Sequence, residues 1–324
     1  MIGNFDGVHR GHQSLAVAAR RLAAGGGRTG GGVTGGRVTA LVFDPHPLTL
    51  IRPEAAPARL STLADRSGWL QEAGVDDVAV MAPDRAMLDL SPEEFVRWLV
   101  ETHRPTAVVE GEDFCFGKGR SGNVATLCSL AKASGFGVEV MPATMAVLDD
   151  HSEVKVSSSL TRWLLSNRRV ADVARMLGRP YCVPGTVVRG DRRGRTIGFA
   201  TANLQTDVML PGDGVYAARA VLADGREFAA AVNVGARPTF AGAARTVEAH
   251  LIGEHGLREW APIAGLDEYG WTLRLEMAGF IRDQVKFDGL AALTGQLARD
   301  CKRAVEMVAV RQEVRRVGKE VEST

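Results

Sequence analysis

Hydrophobic and polar positions follow two different rhythms along these 324 residues. From Arg37 to about Met141, short apolar runs alternate with stretches of helical periodicity. Val38 to Phe43 is a β-type run that ends in Asp44-Pro45-His46-Pro47. A helical pattern covers Thr62 to Ala73, and a strand follows at Asp77 to Met81. Ser91-Pro92-Glu93-Glu94 predicts a helix start, with Ser as N-cap, Pro at the first helical position and acid in the first turn. Further strands are predicted at Thr106 to Glu110 and Gly137 to Met141. Such alternation implies an α/β domain, a parallel sheet with helices on both faces. Ligands of such sheets sit beyond the carboxyl ends of the strands.

The rhythm changes near Gly178. Ser157 to Leu177 reads as a helical region, which Gly178-Arg179-Pro180 breaks. Strand-like runs then dominate: Cys182 to Arg189, Gly214 to Leu222, Glu227 to Val234, Val247 to Ile252 and Trp271 to Glu276. Ala223-Asp224-Gly225-Arg226 is a hairpin turn. A helix from about Leu290 to Val310 closes the chain. Strands joined by short turns imply an antiparallel barrel or a sandwich. The expected division is therefore 1–178 and 179–324.

Composition narrows the classes. With 39 basic and 38 acidic residues the net charge is +1, so no basic field is present to hold nucleic acid, and anion binding must be local. Cys115, Cys128, Cys182 and Cys301 are scattered without a CxxC pair, which argues against zinc and a disulfide framework and fits a reducing cytoplasm. No apolar run is long enough to span a bilayer. The segment Gly25 to Gly36 has the composition of a phosphate loop but follows a helix and precedes a strand, so it is read as a flexible surface loop. Only Met1 and Ile2 precede Gly3, so the first strand is expected to be truncated, or the natural start lies upstream.

The candidate chemistry starts at Gly3-Asn4-Phe5-Asp6-Gly7-Val8-His9-Arg10-Gly11-His12. His9 and His12 run into a helix-forming segment, which places both imidazoles at a helix start, where free amides and the positive dipole end favour an anion. Gly11 lets a phosphate come close to the backbone. Positioned imidazole donors suit a phosphorus centre gaining charge, so adenylyl transfer is one reading. A metal half-site, or a helix start with no further task, remains open from these residues alone. In Val247-Glu248-Ala249-His250-Leu251, strand alternation puts Glu248 and His250 on one face, where a solvated surface or a general base are both possible.

Taken together, these motifs resemble the bifunctional riboflavin kinase/FMN adenylyltransferase family of bacteria over nearly the whole length. Phe43-Asp44-Pro45-His46-Pro47, Gly111-Glu112-Asp113-Phe114-Cys115-Phe116-Gly117 and Val156-Ser157-Ser158-Ser159 with Arg162 follow the first motif. Gly190 to Arg195, Gly198-Phe199-Ala200-Thr201-Ala202-Asn203, Gly214-Val215-Tyr216, Gly235 to Phe240, the Glu248 strand and Arg282 with Lys286-Phe287 complete the set.

The resemblance implies a Rossmann-like nucleotidyltransferase domain followed by an antiparallel six-stranded β-barrel with a C-terminal helix. It implies His9 and His12 at the α-phosphate, ATP phosphates at Asn4, Gly11, Ser158 and Arg162, and flavin contacts at His46, Asp113 and Arg282. Glu248 becomes the base for the riboflavin hydroxyl, Thr201 and Asn203 the Mg²⁺ ligands, and Gly190, Gly194 and Gly198 the loop around the second ATP. Riboflavin, FMN and ATP are the expected partners and FAD the product; self-association is left open, and nucleic acid and membranes are excluded. The chain departs from the family pattern at Ala200 (proline), Gln284 (glutamate), Ser159 (threonine) and in a longer stretch between His250 and Tyr269 containing Trp260 and Pro262.

Overall fold

A computed structural model describes residues 1–25, 35–190, 192, 194, 197–236, 245–253, 263 and 265–322, with residues 236 and 311–322 as backbone only. Residues 26–34 of the glycine-rich segment, Asp191, Arg193, Arg195, Arg237-Pro238-Thr239-Phe240, Trp260 and Pro262 lie outside the described residues. The chain divides into two compact units, Met1–Ser158 and Ser159–Thr324.

The first unit runs β1 (Ile2–Gly3), α1 (Arg10–Ala23), β2 (Thr39–Phe43), the single turn α2 (Leu48–Ile51), α3 (Leu63–Glu72) and β3 (Asp77–Met81). It continues through α4 (Arg85–Leu88), α5 (Pro92–His103), β4 (Ala107–Gly111), β5 (Cys115–Phe116), β6 (Gly122–Asn123), α6 (Val124–Ser134), β7 (Gly137–Met141), β8 (Met145–Val147) and β9 (Glu153–Lys155). The order β1-β2-β3 is parallel, with Ile2 opposite Leu41 and Thr39 opposite Asp77, and β4 pairs β7 in parallel. As the pattern predicts, α5 begins with Ser91 and Glu94 in a reciprocal capping box and Pro92 at its first position.

Both faces of β2 are covered. Ala40 and Val42 join a core with Val8, Ala16 and Leu70, whereas Leu41 joins Phe95, Leu99 and Leu127 on the other side. A two-sided core is what turns a parallel strand into a continuous apolar run. The strand β1 is two residues long, and Met1 and Ile2 are buried. The Ile2 amide donates to a carboxylate oxygen of the buried Glu110 at 2.6 Å, so a β4 side chain occupies the flank of β1.

The helical region from Ser157 to Leu177 holds two helices, α7 (Ser158–Ser166) and α8 (Val170–Leu177). The polar run Ser166-Asn167-Arg168-Arg169 offers no apolar position to bury, and Arg168 turns the chain at φ +63°. The second unit then builds β10 (Cys182–Val188), β11 (Ala202–Gln205), β12 (Gly214–Leu222), β13 (Glu227–Ala236), β14 (Arg245–Ile252), β15 (Thr272–Arg282) and α9 (Leu290–Glu322).

The six strands form a closed barrel in the order β10-β11-β14-β13-β12-β15, which settles barrel against sandwich. Hairpin β12–β13 turns at Gly225 with φ +87°. Apolar periodicity misses β11, because only Ala202 and Leu204 of its four residues are apolar. α9 seals the outside of the barrel with Ala304 and Val308 against Ala217 and Ala278.

Burial pushes the Glu110 carboxyl up to about 8, against the smaller opposite pulls of the Met1 amine and the Ile2 amide. A raised value stabilises the fold while the group is protonated, and that contribution is lost as pH rises from about 4.5 through about 8. Thermal melts of Glu110→Gln should therefore gain on the wild type progressively between pH 5 and pH 8. A melting-temperature difference that stays constant over this range rejects the assignment.

Candidate active sites

The turn between β1 and α1 is held in an unusual backbone state. Phe5, Gly7 and Val8 have φ of +46°, +79° and +38°. Left-handed conformations cost of order 1–3 kcal/mol for residues other than glycine, and a β-branched Val is the least suited to them. Val8 is nonetheless fully buried, and its amide donates to the Phe5 carbonyl at 3.0 Å.

The chain emerges from this turn at His9, the N-cap of α1, whose Nδ1 accepts the His12 amide at 3.3 Å. An accepting Nδ1 leaves the proton of the neutral ring on Nε2. The two imidazoles stack with centroids 3.6 Å apart and planes 16° from parallel, and His12 meets Phe5 edge-on. A Cβ on Gly11 would stand 3.2 Å from His9 ring atoms, so this glycine first makes room for the imidazole.

The surrounding contacts fix the turn. The Asp6 carboxylate accepts from the Leu60 amide, the Ser61 amide and the Ser61 hydroxyl at 2.9–3.1 Å. Ser158, which opens α7, donates its hydroxyl to the Asp6 carbonyl at 2.9 Å, so its proton points at the backbone of the turn. Arg66 of α3, buried, donates to the carbonyls of Asn4 (2.9 Å) and Phe43 (3.2 Å) and pairs with Asp44. The Asn4 Oδ1 is buried without a hydrogen-bond partner among the described residues. A native buried acceptor left open in this way calls for a ligand donor or an ordered water.

His46 follows β2, and its Nδ1 accepts the Leu48 amide at 3.1 Å. Asp113 follows β4 and is exposed, paired with Lys155 of β9. Both lie past carboxyl ends of strands, as does the His9 turn. Arg162 stands one turn into α7, half-buried, and belongs to the second compact unit.

In the barrel, strand register assembles the second site. Asn203 of β11 stands opposite Glu248 of β14, and Glu248 opposite Asn233 of β13. Directly opposed residues share a face with Cβ atoms about 4.5–5.5 Å apart, so two carboxamides flank the carboxylate. A Cβ on Gly190 would overlap the Asn203 carboxamide, and one on Gly194 the Phe199 carbonyl. Gly198 turns at φ +80°. Thr201 is exposed just ahead of β11, and His250 Nδ1 lies 2.8 Å from the Ala200 carbonyl oxygen. Gln284 donates to the Asn233 Oδ1 at 2.7 Å and to the Val234 carbonyl at 3.2 Å.

Arg282 forms a bidentate pair with Asp300 of α9, whose carboxylate is 2 % exposed, and its guanidinium lies 5.5 Å from the centre of the Phe287 ring. Sequence reading missed Ser61, Arg66, Asn233 and Asp300. A lone Asn inside the apolar run Ala229–Val234 was the one visible signal among them.

The N-terminal residues 1–160 match the family model for FAD synthetase, and residues 177–308 match that for riboflavin kinase. The bifunctional riboflavin kinase/FMN adenylyltransferase of Escherichia coli K12 is 34% identical over 92% of this chain and 89% of its own length. The protein of the same description from Bacillus subtilis is 30% identical over 94% and 90%. The chain belongs to the bifunctional riboflavin kinase/FMN adenylyltransferase family.

It is thus a transferase that phosphorylates riboflavin to FMN and adenylylates FMN to FAD. A crystal structure of a Streptococcus pneumoniae protein described as a macrolide-efflux protein matches with TM-score 0.77 and 26% identity, over 92% of this chain and 91% of that one. Among the described residues of this chain no helix is long and apolar enough to cross a membrane.

Gly190→Ala tests the packing on Asn203. FMN formation from riboflavin should slow by about tenfold or more, since small misplacements near a reacting centre are costly. FAD formation from supplied FMN, measured on the same preparation, should stay at the wild-type rate.

Proposed function

We propose that residues 1–178 carry adenylyl transfer and 179–324 carry riboflavin phosphorylation, each with its own ATP, in the cytoplasm. The observation that carries the first assignment is the stacked His9–His12 pair at a helix start. The nucleophile of adenylyl transfer is the FMN phosphate, already ionised at neutral pH, so the site needs donors and no general base. His9 and His12 offer ring N–H groups to the α-phosphate as charge develops there. Asn4 offers its open Oδ1 to an ATP donor, Gly11 keeps the His9 ring close to the helix start, and Ser158 braces the turn. His46 and Asp113 border the flavin side of the same strand ends.

The riboflavin hydroxyl is a weaker nucleophile and benefits from a base. Glu248 takes its proton, and the register that sets the carboxylate between Asn203 and Asn233 supports this role. Mg²⁺ fits the donor set beside it. Among the described residues no three His, Cys, Asp or Glu side chains gather as a metal site, so a divalent ion relies on neutral oxygens from Thr201 and Asn203, on water and on ATP. The Gly190 cradle keeps the Asn203 carboxamide in place for it. When bound, Mg²⁺ neutralises phosphate charge. Gly194, against the Phe199 carbonyl, and Gly198, at positive φ, stand beside the second triphosphate. Arg282, held by Asp300, lines the flavin end.

Purified protein with riboflavin, ATP and Mg²⁺ should yield FMN and then FAD by chromatography. Glu248→Gln should slow FMN formation by about 10²-fold or more with riboflavin binding nearly intact. His12→Ala should spare the kinase and cut FAD formation by about 10²-fold or more. An unchanged kinase rate in Glu248→Gln, or equal loss of both activities in His12→Ala, contradicts these roles.

A further inference from the structure

The motif from Gly3 to His12 does not contain the group that holds it in shape. Ser61, 1 % exposed, sits in the segment before α3 and makes three contacts with the turn. Its amide donates to Asp6 Oδ1 at 3.1 Å, its hydroxyl donates to the same oxygen at 3.0 Å, and its Oγ accepts the Gly7 amide at 2.8 Å. A hydroxyl is the side-chain group that can donate to the carboxylate and accept from the neighbouring amide at once.

The residues so clamped are flanked by the left-handed Phe5 and Val8, and Gly7 is itself left-handed. Strained backbone of this kind persists only where its surroundings over-determine it. His9 follows Val8 directly and caps α1, so any relaxation of the turn moves the imidazole pair.

We propose that Ser61 is a positioning residue for adenylyl transfer, holding the left-handed turn on which His9 and His12 are set. This rests on the reading of His9 and His12 as the α-phosphate donors. Without the Ser61 hydroxyl, the Gly7 amide loses this acceptor and the Asp6 carboxylate loses a donor. The turn then drifts toward ordinary backbone angles and the stacked rings come off their line. The loss falls on the chemical step, because Ser61 touches the turn and not the substrates.

The same preparation supplies its own control, since riboflavin phosphorylation uses the other unit. Wild type, Ser61→Ala, His12→Ala and the double variant are compared in two assays, FAD from FMN plus ATP and FMN from riboflavin plus ATP, both with Mg²⁺. Ser61→Ala should lower kcat for FAD formation about tenfold or more, with KM for FMN and ATP within about threefold. Riboflavin phosphorylation should not change. Added to His12→Ala, the Ser61 change should cost less than about threefold further, because both act through one element.

Wild-type kcat in Ser61→Ala beside an impaired His12→Ala overturns the proposal, as does a full multiplicative loss in the double variant. A raised KM at unchanged kcat overturns it too. Wild-type FAD formation in His12→Ala instead removes the reading of the imidazole pair, whatever Ser61 does. Should Ser61→Ala be recovered only as aggregate, Ser61→Cys takes its place under the same outcomes, since a thiol is a weak donor and a weak acceptor at both contacts.

Discussion

A turn with three left-handed residues among four cannot hold itself. In this protein the path from Phe5 to Val8 exists because buried partners outside it leave no alternative. Asp6 is gripped from the Leu60–Ser61 segment, Asn4 and the end of β2 are tied by Arg66, and Ser158 closes the third side. The same constraint explains the local sequence. Glycine at 7 accepts positive φ, glycine at 11 leaves space for an imidazole, and the first helix needs no acidic N-cap because His9 fills that place.

The barrel reaches a comparable end by other means. No strained turn is needed to gather Asn203, Glu248 and Asn233, because antiparallel register sets them side by side on three neighbouring strands. Closure removes the sheet edges and makes that register hard to slip. Ala217, Ala218 and Ala220 are buried in the wall, Ala217 against α9, and the buried Tyr216 donates its hydroxyl to the Gly212 carbonyl. The two halves thus pair two phosphate chemistries with two ways of fixing side chains: strained loop against regular ladder.

Much of this was legible in the chain. The strands at 39–43, 77–81, 107–111 and 137–141, the capping box at Ser91 and the hairpin at Gly225 follow from periodicity and local propensity. The motif residues also lie where their spacing placed them, His9 and His12 in the first turn of α1 and Glu248 on a strand. What escaped were contacts distant in sequence. Ser61 lies 54 residues from Gly7 and Arg66 lies 62 from Asn4, and neither side chain differs locally from an ordinary loop serine or helix arginine. The strand β11 escaped because Asn203 and Gln205 interrupt its apolar positions, and the break at Arg168 because a polar run can end a helix without glycine or proline.

The clamp between Arg282 and Asp300 has a bearing on how the molecule is made. The described contacts that grip the His9 turn come from Leu60, Ser61, Arg66 and Ser158, within residues 1–158, whereas Arg282 of the barrel is clamped by a carboxylate of the closing helix. Chains leave the ribosome from the amino end, and units generally fold as they emerge. The unit that holds the His9 turn is therefore synthesised in full before the residue that clamps the barrel.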